Sequence, residues 1–480
     1  MKQAKRIAVM AAAAVVLGGC VSYAGIEPAA KPVTADSLGA TAPDVEWPAS
    51  TWWQSFGDEA LGALIERALT DNPGLRQAQA RLAHAQAAVS GAEATLLPQV
   101  NASADSIRQR FSKNFIYPPP LAGSTTSLNN LQLGASWEID FFGKNQAALR
   151  AAIGQVRAAQ ADAQAARVLL ATSVARTYFL LARSIEQRDV ALATRKQREA
   201  IHELVRQRVA AGVDTNVELR QAEGSVPEIV RDIEAFDEQI DLYRHALAAL
   251  IGQGPAATAS LTPQIAVART TALPAALPAD LIGRRADLSA ARWRAQAALH
   301  DIDSAKAMFY PNVNLTAFAG LSSLGLSRWL ESGSQTYGLG PAVRLPIFDA
   351  GRLRANLRGK DADFDAAVES YNSVLLDAVR DVADQITSLQ SIDRQAAQQR
   401  LAQNAAESAF DLSMQRYRAG LGTFITVLTA ESNVLLQRRT STDLKARAID
   451  ARIGLIRALG GGYAGESAPL AAVPIEDLHE

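Results

Sequence analysis

Two stretches of the sequence, 143–211 and 350–419, each run for about 70 residues without a strong helix-breaking signal. A continuous α-helix of that length is about 105 Å long, because each residue adds about 1.5 Å. A compact domain of 480 residues has a radius of gyration of only about 23 Å. The chain is therefore predicted to contain two helices that project far beyond any compact core.

Apolar residues within these stretches recur in heptads. The second stretch has alternating steps of four and three residues at Leu375, Val379, Val382, Ile386 and Leu389. The first stretch has the matching positions 208 residues earlier, at Ala171, Val174, Tyr178 and Leu181. Such spacing is typical of coiled coils, although the core of an ordinary helical bundle fits it equally well. A further heptad run contains Pro227, which is expected to kink or break its helix.

The chain is predicted to contain two copies of one structural unit. The segment Ile139–Lys144 resembles Ile347–Arg352, and Arg208–Gly212 resembles Arg416–Gly420, in both cases 208 residues apart. A fixed internal offset is the signature of a structural repeat. We assign repeat 1 to residues 51–254 and repeat 2 to residues 278–459, joined by a linker over 255–277. Each repeat is expected to hold shorter helices, a β-hairpin and two long helices, the latter over 143–251 and 350–459.

The β-hairpins are predicted over residues 98–141 and 311–348. Every odd position from Leu131 to Phe141 is apolar, and this alternation indicates a strand with one apolar and one polar face. The first strand, from Val100, changes phase near Asp105. Eleven residues span about 37 Å, which at a tilt of about 40° covers the ~25 Å apolar band of an outer-membrane barrel. The side chains predicted to face lipid are Leu131, Leu133, Trp137 and Ile139.

Four strands are too few to enclose a membrane pore. About eight strands are the practical minimum for a transmembrane barrel, and open strand edges are not tolerated in lipid. Several chains must therefore pool their strands. The sequence predicts an obligate oligomer embedded in a membrane.

The N-terminus has the pattern of a secretion signal. A basic start and a short apolar run lead to Leu17-Gly18-Gly19-Cys20, so residues 1–19 are predicted to be a signal peptide. Cys20 would then be the first mature residue and the site of lipid attachment, unless it is a chance cysteine behind a plain signal. Residues 20–50 are predicted to be an extended, lipidated linker, and residues 460–480 a flexible tail.

A search for catalytic and metal-binding patterns finds none. The five histidines lie far apart, and the sequence lacks a Cys-x-x-Cys, a His-Glu-x-x-His and a phosphate-binding Gly-Lys-Ser loop. The formal net charge of −1 argues against a nucleic-acid partner, which would require a basic excess. We therefore expect a protein that is not an enzyme, with no metal and no cofactor beyond the lipid on Cys20.

Several motifs together resemble the outer-membrane factors of tripartite efflux pumps. They are Trp52–Asp58, Leu64–Leu69, Trp137–Lys144, Ala305–Pro311 and Gly460–Gly462. The chain is most similar to the lipoprotein branch that includes OprM and the nodulation-type factors, with TolC more distant. The resemblance implies a mixed α and β membrane protein, in which three chains form a twelve-stranded barrel in the outer membrane. A long coiled-coil α-barrel would continue it across the periplasm.

The same resemblance implies function and partners. It implies a homotrimeric exit duct that works with a periplasmic adaptor protein and an inner-membrane pump, often of the resistance-nodulation-division class, and exports drugs or other small toxic compounds. Val21 after the lipidated cysteine implies sorting to the outer membrane. A structural coiled-coil envelope protein and a type I secretion duct remain alternatives. A periplasmic enzyme on a helical scaffold is disfavoured by the motif search.

The gate is expected where each pair of long helices turns. Gly212 and Gly420 suit helix C-caps, and Asp214 and Thr423 suit the N-caps of the returning helices. In relatives, Asp residues after the second turn form a constriction ring, but here the matching positions hold Thr426 and Thr429. The first-repeat counterparts are Glu218 and Gln221. An acidic ring would therefore come from Glu218 or Asp214, unless Glu218 is simply a solvated helix residue.

Overall fold

The computed structural model of the chain describes residues 22–33, 47–265 and 281–464. The predicted signal peptide, Cys20 and the tail beyond residue 464 lie outside the described residues. So do residues 34–46 of the predicted linker and most of the inter-repeat linker. Within the described ranges the order of helix, strand, strand, long helix and shorter helix occurs twice.

The first half contains α1 (Glu59–Asp71), α2 (Pro73–Ala94), α3 (Lys144–Ala210) and α4 (Asn216–Leu250). The second half contains α5 (Ala286–Ala307), α6 (Arg352–Arg418) and α7 (Phe424–Ala458). Helices α3 and α6 have 67 residues each, and α4 and α7 have 35 each. Pro227 lies inside α4 without ending it.

Seven of the nine heptad positions named above are buried, and Val379 and Ile386 are half-buried. Ala171, Val174, Tyr178 and Leu181 of α3, and Leu375, Val382 and Leu389 of α6, lie in the interior. By length and apolar composition α3 is the single described helix that passes as a membrane span, and 56% of the apolar stretch is buried inside the protein. That burial is typical of a core helix in a long bundle.

The described chain divides into two compact units. The first consists of residues before Val33 together with Arg81–Ala159 and Ala290–Tyr371, and it holds the sheet. The second consists of Val33–Ala80, Gln160–Ser289 and the residues from Asn372 onward, and it holds both interhelical turns.

The sheet of the first unit has four antiparallel strands in the order β1-β2-β3-β4. The strands are β1 (Gln99–Arg110), β2 (Thr125–Ile139), β3 (Asn312–Leu324) and β4 (Gln335–Arg344). The β1–β2 register is unbroken from the pair Gln99 and Ser136 to the pair Arg110 and Thr125. The predicted phase change near Asp105 is therefore wrong as a backbone feature, because only the residue types on each face change there.

One face of the sheet is apolar over five successive cross-strand rows. On β2 and β3 it carries Leu131, Leu133, Ala135, Trp137 and Ile139 opposite Leu321, Ala319, Ala317, Leu315 and Val313. The other face carries Gln132, Gly134, Ser136 and Glu138 opposite Gly320, Phe318, Thr316 and Asn314. The predicted alternation therefore extends across strands from both halves of the sequence.

Residues 22–32, predicted to belong to an extended linker, are held by specific contacts within the first unit. Ile26 is buried with Ile302, Phe309 and Leu357. The amide groups of Ala29 and Ala30 both donate to the Asp365 carboxylate, at 3.0 and 2.9 Å. These residues form no helix or strand, and their contacts fix them against the first unit.

The second unit has its largest core around the aromatic segment that precedes α1. Trp52, Trp53 and Phe56 pack with Tyr178 and Phe179 of α3. Asp58 caps α1 through the amides of Ala60 and Leu61 and also accepts a 2.6 Å hydrogen bond from the Tyr178 hydroxyl.

Gly460 and Gly462 lie where the chain leaves α7 in the second unit. A Cβ at Gly460 would run into the carbonyl oxygen of Arg284, and one at Gly462 into that of Ala49. The assignment of residues 460–462 to a flexible tail is therefore wrong, because these glycines are closely packed.

Candidate functional site

The candidate site is the pair of turns that join α3 to α4 and α6 to α7. Gly212 and Gly420 have left-handed φ values of 73° and 76°. The amide of Val213 donates to the Arg208 carbonyl at 2.9 Å, and the amide of Leu421 donates to the Arg416 carbonyl at 2.8 Å. This bond across five residues, with a glycine in the left-handed region, is the Schellman ending of a helix. Both predicted glycine C-caps are confirmed.

The N-cap predicted for the first turn is wrong by one residue. Thr215, not Asp214, caps α4, and its hydroxyl accepts from the Val217 amide at 3.1 Å. The Glu218 carboxylate accepts in turn from the Thr215 amide at 2.9 Å and from the Thr215 hydroxyl. This reciprocal arrangement is a capping box, and it fixes the position of Glu218.

Asp214 is instead bound to Arg208, at the end of the preceding helix. The Arg208 Nε and Nη2 atoms donate to the two carboxylate oxygens at 2.8 and 3.1 Å, so the pair is bidentate. Their side chains are only 14% and 10% exposed. Hydrogen bonds from the Arg208 guanidinium hold the pKa of the Asp214 carboxyl below its ordinary value of 3.8, so the ion pair is formed at neutral pH.

Helices α3 and α4 form a first helical hairpin, and α6 and α7 form a second. Tyr417, near the end of α6, links the second hairpin to this ion pair. Its hydroxyl donates to Asp214, and its ring lies 4.4 Å from the Arg208 guanidinium carbon, in cation–π contact. Burial, reinforced by the Asp214 carboxylate, raises the pKa of the Tyr417 phenol well above its ordinary value of 10. The hydroxyl therefore remains a protonated donor. We call Arg208, Asp214 and Tyr417 the turn triad.

The second turn has no equivalent of this bonding. Thr423 occupies the predicted N-cap of α7 but makes no capping bond with its side chain, and its hydroxyl pairs with that of Thr426 at 2.9 Å. Thr429 bonds back to the carbonyl of Ile425 at 2.8 Å. Gly422 stands where the first turn has Asp214. Among the described residues Arg416, the counterpart of Arg208, has no carboxylate within ion-pair distance.

An apolar cluster holds the two hairpins together beneath the turns. It contains Val205, Ala222, Met414, Tyr417, Phe424 and Val427. The buried ring of Tyr417 is part of this cluster, so the turn triad lies at the edge of a packed core. Glu218 is half-exposed, and Gln221, Thr426 and Thr429 are exposed.

A buried ion pair lies further from the turns in the same helices. The Arg198 guanidinium donates to the Glu431 carboxylate from Nε at 3.0 Å and from Nη2 at 3.1 Å. Its Nη1 donates to the Ser225 carbonyl at 2.6 Å. The two charged side chains are 7% and 2% exposed. The three residues belong to α3, α7 and α4, so one guanidinium joins three helices.

The remaining predicted site residues lie elsewhere. Leu131, Leu133 and Trp137 are exposed on the apolar face of the sheet, and Ile139 is half-exposed on the same face. Cys20 is outside the described residues. In the part of the chain that the structure describes, no group of three or more His, Cys, Asp or Glu side chains is placed to hold a metal ion.

Two features of the turns were not anticipated from the sequence. The signature Thr215-x-x-Glu218 is the capping-box pattern, so the sequence does contain a signal for the first of them. Tyr417 was not marked by any local signal, because its partner Asp214 is 203 residues away in the chain.

Comparison with known proteins gives consistent results. A family profile described as outer membrane efflux protein matches residues 64–253 and 277–461. The chain is 36% identical over 363 residues to the fusaric acid resistance protein FusA of Burkholderia cepacia, covering 73% of this chain and 68% of that protein. It is 33% identical over 432 residues to the multidrug resistance outer membrane protein MdtP of Escherichia coli K12, covering 87% of each chain.

A solved structure agrees in both sequence and fold. The outer membrane protein VceC of Vibrio cholerae is 35% identical to this chain and superposes with a TM-score of 0.82. The match covers 87% of this chain and all of that one.

Proposed function

Because this chain belongs to the outer membrane efflux protein family, we propose that it forms the outer-membrane exit channel of a tripartite efflux system. The observation that carries the proposal is the sheet of the first unit, which has one continuous apolar face and one polar face. Lipid on the first face and water on the second is the arrangement of a transmembrane barrel. The localisation that follows is the outer membrane.

Closure of the barrel requires other chains. Strands β1 and β4 are the edges of the four-stranded sheet, and an edge left open in lipid would expose unpaired amides and carbonyls. Three chains pairing β4 of one with β1 of the next would give twelve strands and no edge. The long helices α3 and α6 would continue as a coiled-coil α-barrel through the periplasm.

The names of the relatives suggest the cargo. They refer to fusaric acid resistance and to multidrug resistance, so we infer that this channel exports small toxic organic compounds. A periplasmic adaptor and an inner-membrane pump would select the compounds and provide the energy. The channel itself would be passive and gated.

We place the gate at the interhelical turns. The turn triad would hold the two hairpins of a chain together in the closed state, and opening would require Asp214 to lose a bond. Glu218 is the better candidate for a carboxylate ring, because Asp214 is neutralised by Arg208. Carboxylates converging in a narrow pore attract cations and repel anions. Gln221, Thr426 and Thr429 would contribute polar but uncharged surface.

Reconstitution of the purified protein into planar bilayers tests the channel. We expect discrete conductance steps, whereas a structural envelope protein would give none. Deleting the gene distinguishes an efflux channel from a type I secretion duct. The first predicts sensitivity to small compounds, and the second predicts loss of a secreted polypeptide.

Cysteine labelling tests the orientation of the sheet. A cysteine at Leu133 should be protected by lipid from a membrane-impermeant thiol reagent, while a cysteine at the neighbouring Gln132 should react. Both variants carry Cys20→Ser, so that the introduced thiol is the only one. Equal labelling of the two positions would contradict the barrel.

The lipid anchor has its own test. Mass spectrometry of the mature N-terminus should find diacylglycerol and fatty acyl groups on Cys20, and Cys20→Ser should abolish them. An unmodified N-terminus at any other residue would disprove the anchor without affecting the channel proposal.

A further inference from the structure

The apolar face of β1 changes character partway along the strand. Val100, Ala102 and Ala104 share the face of Leu131 and Leu133, and the unbroken register keeps Ser106, Arg108 and Arg110 on that same face. The change from small apolar to basic residues is therefore real and does not result from a shift in register.

The neighbouring strands change at the same level. The last apolar row joins Ala104, Leu131 and Leu321, and the next row joins Ser106, Asn129 and Ser323. Beyond it, Arg108 lies opposite Ser127 and Arg110 opposite Thr125. A change from apolar to polar residues at the same level on three strands is the pattern expected at a membrane surface.

The height of the apolar band fits an outer membrane. From Ile139 to Leu131 the band covers eight residue steps, about 27 Å along the strand. Tilted by about 40°, that corresponds to roughly 21 Å, close to the ~25 Å apolar band of outer-membrane barrels. All the connections from the sheet to helices leave from the opposite end, at Gln99, Ile139, Asn312 and Arg344. The arginines therefore lie on the side of the band remote from the helices.

Within a single chain the two guanidinium groups are available for a ligand. Arg108 and Arg110 are exposed, and within the described residues neither has a carboxylate within ion-pair distance. Side chains two residues apart on one strand face lie about 7 Å from each other. Lys113 follows in the β1–β2 connection. Asp105 lies on the other face, where it accepts from Asn130 at 2.9 Å, and Glu331 is in the β3–β4 connection.

We propose that Arg108 and Arg110 form a binding site for the phosphate groups of phosphorylated lipids in the outer leaflet. The guanidinium fork matches phosphate oxygens in bidentate geometry, and the apolar rows below would contact the acyl chains of the same lipid. The inference rests on the membrane orientation in the proposed function. The corresponding positions of β3, at the 213-residue offset that pairs Val100 with Val313, are Leu321 and Ser323. Each chain would therefore hold one such site.

The test uses the full-length protein in detergent and native mass spectrometry. Bis-phosphorylated lipid A is the ligand, and fully dephosphorylated lipid A is the matched probe. A basic residue near a membrane surface is worth about fivefold in binding to anionic lipid. We therefore expect the double variant Arg108→Ser/Arg110→Ser to bind the phosphorylated lipid roughly 25-fold more weakly, with the dephosphorylated lipid unaffected. Arg108→Lys/Arg110→Lys keeps both charges but loses the bidentate fork, so it should weaken binding by less than the double serine variant does.

Arg344→Ser is the control, because Arg344 is exposed on the opposite face at the other end of the sheet. It should leave binding unchanged. Equal binding by wild type and the double variant, or an equal loss in Arg344→Ser, would overturn the proposal. So would an equal loss for the dephosphorylated probe.

Conductance in phosphatidylcholine bilayers separates this site from the channel. The double variant should conduct like the wild type, because neither arginine faces the pore. A conducting wild type that binds no phosphorylated lipid would refute the site alone. A wild type that never conducts would refute the proposed function, whatever the lipid result.

Discussion

The two interhelical turns have nearly the same backbone and very different side-chain bonding. Both end a 67-residue helix in a Schellman motif with a left-handed glycine. Only the first has an ion pair, a capping box and a bond to the other hairpin. In the second, Gly422 and Thr426 replace Asp214 and Glu218.

This difference shows that the interactions that determine the backbone conformation of a turn are distinct from those that attach the turn to the rest of the protein. A glycine and the end of a helix are sufficient for the conformation, since both turns adopt it. The charged groups of the first turn bind it to its surroundings but are not needed for its backbone conformation. The second helical hairpin is bonded to the first through the hydrogen bond from Tyr417 to Asp214.

The largest effect should come from Asp214→Asn. It removes the charge shared by Arg208 and Tyr417 and should weaken the closed tip by about 2–3 kcal/mol per chain. This is less than the ~3–5 kcal/mol of a fully buried pair, because both side chains keep some exposure. We expect a higher open probability in single-channel recordings. Since the pKa of Asp214 is lowered, its contribution is present above its ordinary value of 3.8 and is lost as pH falls through the lower pKa of the closed tip.

Glu223→Gln is the control for that prediction. Glu223 pairs with Arg220 at 2.6 Å on the surface of α4, and such exposed pairs contribute about 0–1 kcal/mol. If both variants changed the open probability equally, the turn triad would have no special role.

Replacing either glycine should affect the two turns equally. Gly212→Ala and Gly420→Ala each force a Cβ into a left-handed conformation, at a cost of about 1–2 kcal/mol. No atom lies within 4 Å of a Cβ at either position, so the cost is conformational in both. Denaturant unfolding followed by circular dichroism measures it. A large difference between the variants would mean that the turns are not equivalent in backbone.

Replacing the N-cap threonine should have different effects in the two turns. Thr215→Ala removes a capping bond and should destabilise the first turn of α4 by about 1 kcal/mol, whereas Thr423 makes no capping bond with its side chain. Hydrogen exchange of the amides at residues 216–219 should therefore accelerate about fivefold. Thr423→Ala should change exchange at residues 424–427 by less than twofold. Equal acceleration at both sites would contradict the contrast.

Charge at the pore should depend on Glu218 and not on Thr426. Glu218→Gln keeps a capping-box acceptor and removes the charge, so it should lower cation selectivity with only a small loss of stability. Thr426→Ala should change neither. Reversal potentials at two salt concentrations measure the effect. Because hydrogen bonds from Thr215 lower the pKa of Glu218 from 4.5, wild-type selectivity should persist to pH 4.5 and decline below it.

The smallest effect should come from copying one feature of the first turn into the second. In Gly422→Asp the new Cβ lies 3.4 Å from the Tyr417 amide nitrogen, an ordinary contact. The carboxylate could then pair with Arg416 and stabilise the closed tip by about 0.5 kcal/mol, as exposed ion pairs do. Open probability should fall about twofold. A rise would mean that a charge at this position obstructs closure.

Much of the fold was predictable because it follows from periodic patterns. Heptads placed Tyr178 and Leu375 in the core, and alternation placed Leu133 and Trp137 on one face of the sheet. The left-handed glycines at 212 and 420 were predictable from helix-end chemistry. These features depend on neighbours within about ten residues.

The unpredicted features depend on contacts between distant segments. Asp214 satisfies the local rule for an N-cap, yet the nearby Arg208 and the distant Tyr417 bind it instead. Residues 22–32 have a linker-like composition, but Ile26 is buried by residues from Ile302 to Leu357, far away in the sequence. Local composition cannot reveal such partners.

The buried Arg198 has a mechanical consequence. It clamps α3, α4 and α7 at one level, and α3 ends 12 residues further on at Ala210, about 18 Å away at 1.5 Å per residue. If the helices pivot at this clamp, they act as a lever: a tilt of about 10° displaces the end of α3 by about 3 Å over that arm. Small rotations at a fixed fulcrum are thus amplified at the free end.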